Sequence, residues 1–259
     1  LHQIPQDAEI SVANLTKKAD GYYVHLTVYV PLNVDVSCEN RSDIGLDFNI
    51  GDTLVASDGR KFKARFEASD RLKQLQRKLS RQKKGSKNYH KTLKKINKEH
   101  QNTSNKKNDL ANKIVRELLD SSGLIYMQDE MIKNWHSGLF GKQVQVSILG
   151  RLKSKLTKHP RVCVVDRSCA TTQLCPECGS LNKHSLDQRI YHCPCGYTKD
   201  RDIHSAGNML VYAENEDNII KKFGAGRTST PVERTPSASE TLESDVSCRE
   251  EAGNPYLCR

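Results

Sequence analysis

Cys175, Cys178, Cys193 and Cys195 are spaced as Cys-x2-Cys, a fourteen-residue loop, then Cys-x-Cys. Zn2+ takes four thiolates in a tetrahedron, and two short pairs on facing turns can supply them from a small piece of chain. Pro176, Gly179, Pro194 and Gly196 stand in or beside the pairs, where tight turns need them. The expectation is a structural zinc site, although the second pair is one residue shorter than the usual spacing; a disulfide pair is the rival reading. Cys38, Cys163, Cys169, Cys248 and Cys258 are scattered and read as incidental. Carboxylates form a second candidate group: Asp47, the Asp129/Glu130 pair, and Asp202 in the acidic turn Asp200-Arg201-Asp202. If they converge, such acids can hold two Mg2+ ions about 3.5 to 4 Å apart for phosphodiester cleavage. Spacing alone leaves blander roles open, Asp47 as a turn cap and Asp202 as a helix cap.

The charge distribution limits the partner. The 259 residues include 41 Lys+Arg against 31 Asp+Glu, a net of +10. From Arg60 to Arg116 there are 20 Lys or Arg against Glu67, Asp70, Glu99 and Asp109, a local net of +16, so the rest of the chain is at −6. The basic charge is one organised feature, and a nucleic-acid backbone explains it better than a solvated helix face. No stretch is apolar enough to span a membrane. The opening residues, Leu1 to Pro5, show no secretory pattern, so a reducing cytosol is expected, where clustered cysteines favour metal.

The elements that must position these groups can be traced by periodicity. Residues 8 to 36 alternate as strands, with Asp20-Gly21 as a hairpin turn. Ile44 to Ile50 and Thr53 to Ala56 form a second strand pair, followed by the turn Ser57-Asp58-Gly59. Residues 67 to 119 read as two helices, with Leu72, Leu75 and Leu79 in the first, a break at Lys84-Gly85-Ser86, and Leu93, Ile96, Leu110, Ile114 and Leu118 in the second. Leu124 to Met127 reads as a buried strand, Val144 to Leu156 as one amphipathic helix, Val162 to Asp166 as another strand, and Ile203 to Tyr212 as a last helix. From Lys221 onward the chain is rich in Ser, Thr, Pro and Glu without periodicity, the composition of a disordered tail. Alternating strands and helices with acids at strand ends describe an α/β nuclease-type core.

Five motifs, in order, carry a family resemblance: Gly45 to Gly51, Arg71 to Arg81, Asp129 to Trp135, Cys175-Pro176-Glu177-Cys178-Gly179, and Asp200-Arg201-Asp202. From about residue 20 to 212 the chain resembles the TnpB (OrfB) proteins of bacterial insertion sequences, relatives of the type V CRISPR effectors. The resemblance implies an α/β fold, an RNaseH-like RuvC nuclease core interrupted by a zinc ribbon that binds target nucleic acid. It implies an RNA-guided, Mg2+-dependent DNA endonuclease in a prokaryotic cytoplasm, with guide RNA and target DNA as partners. Asp47, Glu130 and Asp202 would hold Mg2+, and the four cysteines Zn2+. Arg71, Lys73, Arg77, Lys78, Arg81, Lys83, Lys84, Lys87, Lys91, Lys94 and Lys95 would follow phosphates.

The implied domains are barrel strands at 1 to 36, a first core part at 37 to 168 that includes the basic hairpin 67 to 119, a ribbon at 169 to 199, a last core part at 200 to 220, and a tail at 221 to 259. Two departures qualify the match. Only residues 1 to 36 stand where the family carries recognition helices and most of a barrel, so the chain reads as the C-terminal portion of a longer protein. Gln128 stands where the family's second catalytic acid is usual, and an amide brings no charge to a cation. Side chains at i and i+2 of a strand share a face, so Glu130 is expected to take the role, with Asp129 facing away. An inactive site, and with it a non-cutting RNA-guided DNA-binding repressor, is the alternative. His204, where the family usually has Asn, reads either as a neighbour of the site or as a surface histidine. Trp135 and Tyr197 read as base-stacking or core residues.

Overall fold

The computed structural model describes residues 4, 8–29, 41–51, 53–185 and 187–221. The chain opens with an antiparallel hairpin of β1 (Glu9–Lys17) and β2 (Tyr22–Tyr29), turned at Asp20-Gly21 as the sequence predicts. β3 (Ile44–Asn49) and β4 (Thr53–Ala56) form the next antiparallel pair, and the two-residue β5 (Lys61–Phe62), too short to show periodicity, adds an edge. β6 (Ile125–Gln128) and β7 (Val162–Val165) pair in parallel with β3 and with each other. β10 (Ile219–Lys221), after the short hairpin of β8 (Ile190–His192) and β9 (Thr198–Asp200), closes the far edge antiparallel to β7. The sheet order is β10-β7-β6-β3-β4-β5. The tail expected to begin at Lys221 starts instead with strand residues there, and residues 222 to 259 lie outside those described, as does Cys38.

The central strands are apolar almost throughout because helices cover the sheet on both sides. The successive helices are α1 (Asp70–Ser80), α2 (Lys87–Ser121), α3 (Ile132–Ser137), α4 (Gly141–Val146), α5 (Leu149–Leu156) and α6 (Arg201–Ala213). Leu46, Phe48, Ile125 and Met127 share the main core with Ala111, Ile114 and Leu118 of α2 and Leu149, Leu152 and Leu156 of α5. By the two-residue period of a strand, Gly45, Asp47 and Asn49 face the opposite way, toward α6. There Tyr126 and Val165 pack with Met209 of α6. Gly45 permits this packing: a Cβ at that position would lie 1.8 Å from the Ala206 carbonyl oxygen.

α2 is 35 residues long, about 50 Å at 1.5 Å per residue, and serves two units. Its C-terminal half belongs to the main core, while Ile96 packs with Leu72 and Leu79 of α1 in a separate cluster. Ser69 and Ser86 cap the two helices by accepting from Leu72 N–H and Tyr89 N–H, and Gly85, with φ 78°, turns the chain between them. The single helix expected from Val144 to Leu156 is two, broken at Ser147-Ile148. The Ser147 hydroxyl donates to the Val144 carbonyl and accepts from Leu149 N–H, a local alternative to continuous helix. α3, six residues long, has no sequence forecast because it is too short for a helical period to stand out, and α4, also six residues, is forecast only from Val144.

Candidate active site

β3 aims Asp47 at α6, where the Ser205 hydroxyl donates to Asp47 Oδ1 at 3.0 Å. Asn49, two residues along the same strand face, donates from Nδ2 to Asp202 Oδ2 at 2.7 Å. Asp202 is in the first turn of α6, but the helix is capped by Asp200, whose Oδ1 accepts from Asp202 N–H and Ile203 N–H. The capping role weighed for Asp202 therefore belongs to Asp200, and the Asp202 carboxylate instead meets Asn49 and, at 3.9 Å, Arg201 Nε. Asp47 keeps part of its surface open yet is walled in on its other sides. Burial, opposed by the Ser205 hydrogen bond and reinforced by Asp202 and Glu130, pushes its carboxyl up to about 7.

Glu130, two residues past the end of β6, acts on Asp47 through its charge, though not from a strand position. β6 ends at Gln128, and Glu130 N–H turns back to the Gln128 carbonyl at 2.9 Å. Lys153 of α5 fixes the turn, donating from Nζ to the Glu130 carbonyl at 2.5 Å and to Asp129 Oδ1 at 2.8 Å. Asp129 also faces Arg167 at 3.5 Å, so its carboxylate is shared between two cationic side chains. Burial raises the Glu130 carboxyl above its ordinary range, with Lys153 opposing and Asp129 adding to the shift. Hard divalent cations take carboxylate oxygens, and the negative charge that Asp202 and Glu130 bring to Asp47 is of the sign such an ion needs. A cleft of about 780 Å3 opens beside Glu130; Lys107, Lys133, Arg151 and Lys153 line it over Ile132 and Ile148.

Gln128 is buried, and both ends of its amide are hydrogen-bonded. Beyond it the chain enters the cysteine module. The four sulfur atoms lie within 4.8 Å of one another, with Cys175 to Cys195 at 3.6 Å and Cys178 to Cys193 at 3.5 Å. Tetrahedral Zn–S bonds of about 2.3 Å imply edges of about 3.8 Å, so the set fits zinc. Gly179 and Gly196 adopt φ of 73° and 98° at the two knuckles, where a side chain would be strained. No described cysteine is in a disulfide. Tyr191 of β8 joins the module to α6: its ring stacks on His204 at 3.8 Å between centroids, and Tyr197 lies 5.7 Å from the same imidazole. His204 is thus a core residue, not a surface one. Burial, with Lys199 second, pushes it down to about 4, so the ring is neutral.

Two family models match consecutive stretches of the chain: OrfB, described as "Probable transposase", over residues 29–133, and "Cas12f1-like, TNB domain" over residues 147–209. These matches support the likeness to the TnpB (OrfB) proteins read from the sequence. It is 24% identical over 218 residues to a Streptomyces pristinaespiralis protein named "Putative RNA-guided DNA endonuclease", which covers 80% of this chain and 54% of the relative. It is 27% identical over 201 residues to "Putative RNA-guided DNA endonuclease InsQ" of Escherichia coli K12, covering 66% and 49%. A solved structure of a Cas12f1-sgRNA-target DNA complex is similar at 18% identity and a TM-score of 0.36, covering 75% of this chain and 54% of the other. The chain spans about half the length of the curated relatives it matches.

The eleven basic residues expected to meet phosphates all lie exposed on α1, α2 and their connection. Arg71 pairs with Glu99 at 3.1 Å and Lys73 with Asp70 at 3.2 Å; the other nine make no ion pair among the described residues. Trp135 is half-buried against the main core, which favours the core reading of that residue. Asn49, Ser205 and Lys153 were not foreseen. Only the two-residue strand period placed Asn49 on the face of Asp47, and nothing local marked the other two. No helix among the described residues is long and apolar enough to cross a membrane.

Proposed function

We propose that the chain is the catalytic portion of an RNA-guided, Mg2+-dependent DNA endonuclease of the TnpB type, encoded by a transposable element and acting in the bacterial cytoplasm. The observation that supports the reading is the burial of Asp47 in the field of Asp202 and Glu130, carried by two other elements, which with burial hold it near 7. Bound there, two Mg2+ ions would activate a water for in-line attack on a phosphodiester and stabilise the leaving 3′ oxygen. Ser205 orients Asp47, Asn49 orients Asp202, and Lys153 holds the turn that carries Glu130.

The strand order, with two parallel pairs beside an antiparallel β3-β4-β5 meander, supports an RNaseH-like RuvC core over 37 to 168 and 200 to 220. The cysteine module, 169 to 199, is read as a zinc ribbon that binds target nucleic acid, and residues 1 to 36 as the last strands of a barrel completed by an N-terminal portion. The basic hairpin follows guide or target phosphates, and the cationic cleft beside Glu130 admits a strand.

The test is to sequence the RNA that copurifies with the chain, then supply a duplex matching it with Mg2+. Cleavage that is lost in Glu130→Gln is expected. A wild-type complex that binds the duplex without cutting overturns the nuclease reading in favour of a DNA-binding regulator. Cleavage that survives Glu130→Gln overturns the assignment of the second acid.

A further inference from the structure

Between β7 and the first cysteine pair the chain leaves the sheet, and four of its backbone carbonyls are held by two buried side-chain amides. Gln128 Nε2 donates to the carbonyls of Asp166 at 3.1 Å and Cys169 at 2.8 Å. Asn208 Nδ2, from α6, donates to those of Thr171 at 2.6 Å and Leu174 at 2.8 Å. The other end of the Gln128 amide faces the acids: its Oε1 lies 3.3 Å from Thr171 Oγ1, which lies 3.2 Å from Ser205 Oγ, which in turn donates to Asp47 Oδ1 at 3.0 Å. Gln128, Thr171 and Ser205 are all buried. An unbroken line of polar contacts, closed to water, runs from the end of β6 to the acid on β3.

We propose that Gln128 is a positioning residue for Asp47, acting through Thr171 and Ser205, and that its place in the fold demands an amide. The proposal rests on the reading of Asp47 as a catalytic acid. An amide offers two donors and a carbonyl acceptor at once, which is what this place requires. A carboxylate there has no donor and would set its oxygens against the Asp166 and Cys169 carbonyl oxygens, with no water to intervene. Even protonated, it has one hydrogen for two carbonyls. Ser205 also has one hydroxyl proton; given to Asp47, it leaves Ser205 to accept from Thr171, whose own proton is held between Ser205 and Gln128 Oε1. Losing the Thr171 hydroxyl therefore cuts the line without touching either end. Gln128 is thus not a vacant ligand position, and restoring the acid that the family pattern suggests damages the site.

The test uses the full chain with its guide RNA and a matched duplex, titrated with Mg2+, for wild type, Gln128→Glu, Thr171→Val and Thr171→Ser. Melting temperatures of the protein with and without Mn2+ are taken alongside. Gln128→Glu and Thr171→Val are expected to need roughly tenfold more Mg2+ for half-maximal cleavage, the effect usual for groups that orient metal ligands, and to show a smaller Mn2+-induced rise in melting temperature. Thr171→Ser keeps the hydroxyl and is expected to match wild type. If Gln128→Glu fails to fold, the Val and Ser pair at 171 decides. Gln128→Glu cutting at the wild-type Mg2+ requirement overturns the proposal. So does a lower melting temperature in Gln128→Glu and Thr171→Val with an unchanged Mg2+ requirement and Mn2+ response, which marks a structural role only. A wild type that binds the duplex without cutting overturns the nuclease reading instead, and the Mn2+ responses of the variants then decide this proposal.

Discussion

Replacing Asp47 with Asn is expected to abolish cleavage and stabilise the protein. Burial and the neighbouring Asp202 and Glu130 hold the Asp47 carboxyl at about 7 against an ordinary 3.8. Between those two values the native state holds a proton that the unfolded chain releases, so stability falls as pH rises through the window. At pH 8 the ionised carboxylate costs on the order of 4 kcal/mol relative to a neutral side chain. Its partial opening to solvent lowers the expected gain for Asp47→Asn to about 1 to 3 kcal/mol, or about 3 to 8 °C in a domain of this size. The gain should shrink to less than half by pH 5 and vanish below 3.8, the ordinary value for Asp. Mg2+ should close the gap from the other side, by raising the wild-type melting temperature alone. Thermal unfolding of both proteins at pH 8 and pH 5, with and without Mg2+, measures all of this. A variant no more stable than wild type at pH 8, or a gain that does not depend on pH, refutes the claim that burial, with the neighbouring acids, strains Asp47.

The other predictions address the scaffold and the partner surfaces. Gly45→Ala forces a Cβ to 1.8 Å from the Ala206 carbonyl oxygen, so α6 must move; a loss on the order of 3 kcal/mol should appear as a lower melting temperature and lost cleavage, and an unchanged melting curve would refute the close packing. Metal analysis of protein purified without chelator should give about one zinc per chain, and Cys175→Ser should both lower that content and destabilise the Tyr191–His204 contact, seen as faster proteolysis within residues 175 to 196. Changing Arg77, Lys78 and Arg81 together to Gln should weaken RNA binding and lower the slope of log affinity against log salt by roughly 2 to 3, while the melting temperature moves little because all three side chains are exposed; an unchanged slope removes this face from the phosphate path.

Much of the fold was legible because its signals are local. The Asp20-Gly21 turn, the Gly85 break between α1 and α2, and the apolar runs of β3, β6 and β7 each depend on a few neighbouring residues. The misses are of two kinds. β5, β10 and α3 are too short for a period to emerge, and they form because edges and helices already in place accept them. The break at Ser147 was missed because the apolar spacing continues across it, while a hydroxyl bonded to the local backbone ends the helix. Glu130 was chosen by assuming a strand that in fact stops at Gln128; it stands instead on a turn held by Lys153, from which its charge acts on Asp47.

By itself the sequence determined the groups whose partners are near in the chain: the four zinc-spaced cysteines with their knuckle glycines, the basic hairpin, and the strands that carry the acids. Tertiary structure alone decided how those acids stand. Ser205 meets Asp47 across 158 positions and Asn49 meets Asp202 across 153, and Asp200 rather than Asp202 caps α6. Local periodicity states which face of an element is buried, but a hydrogen-bond partner or a raised carboxyl depends on what another element brings to that face. Here α6, seated on Gly45, brings those partners.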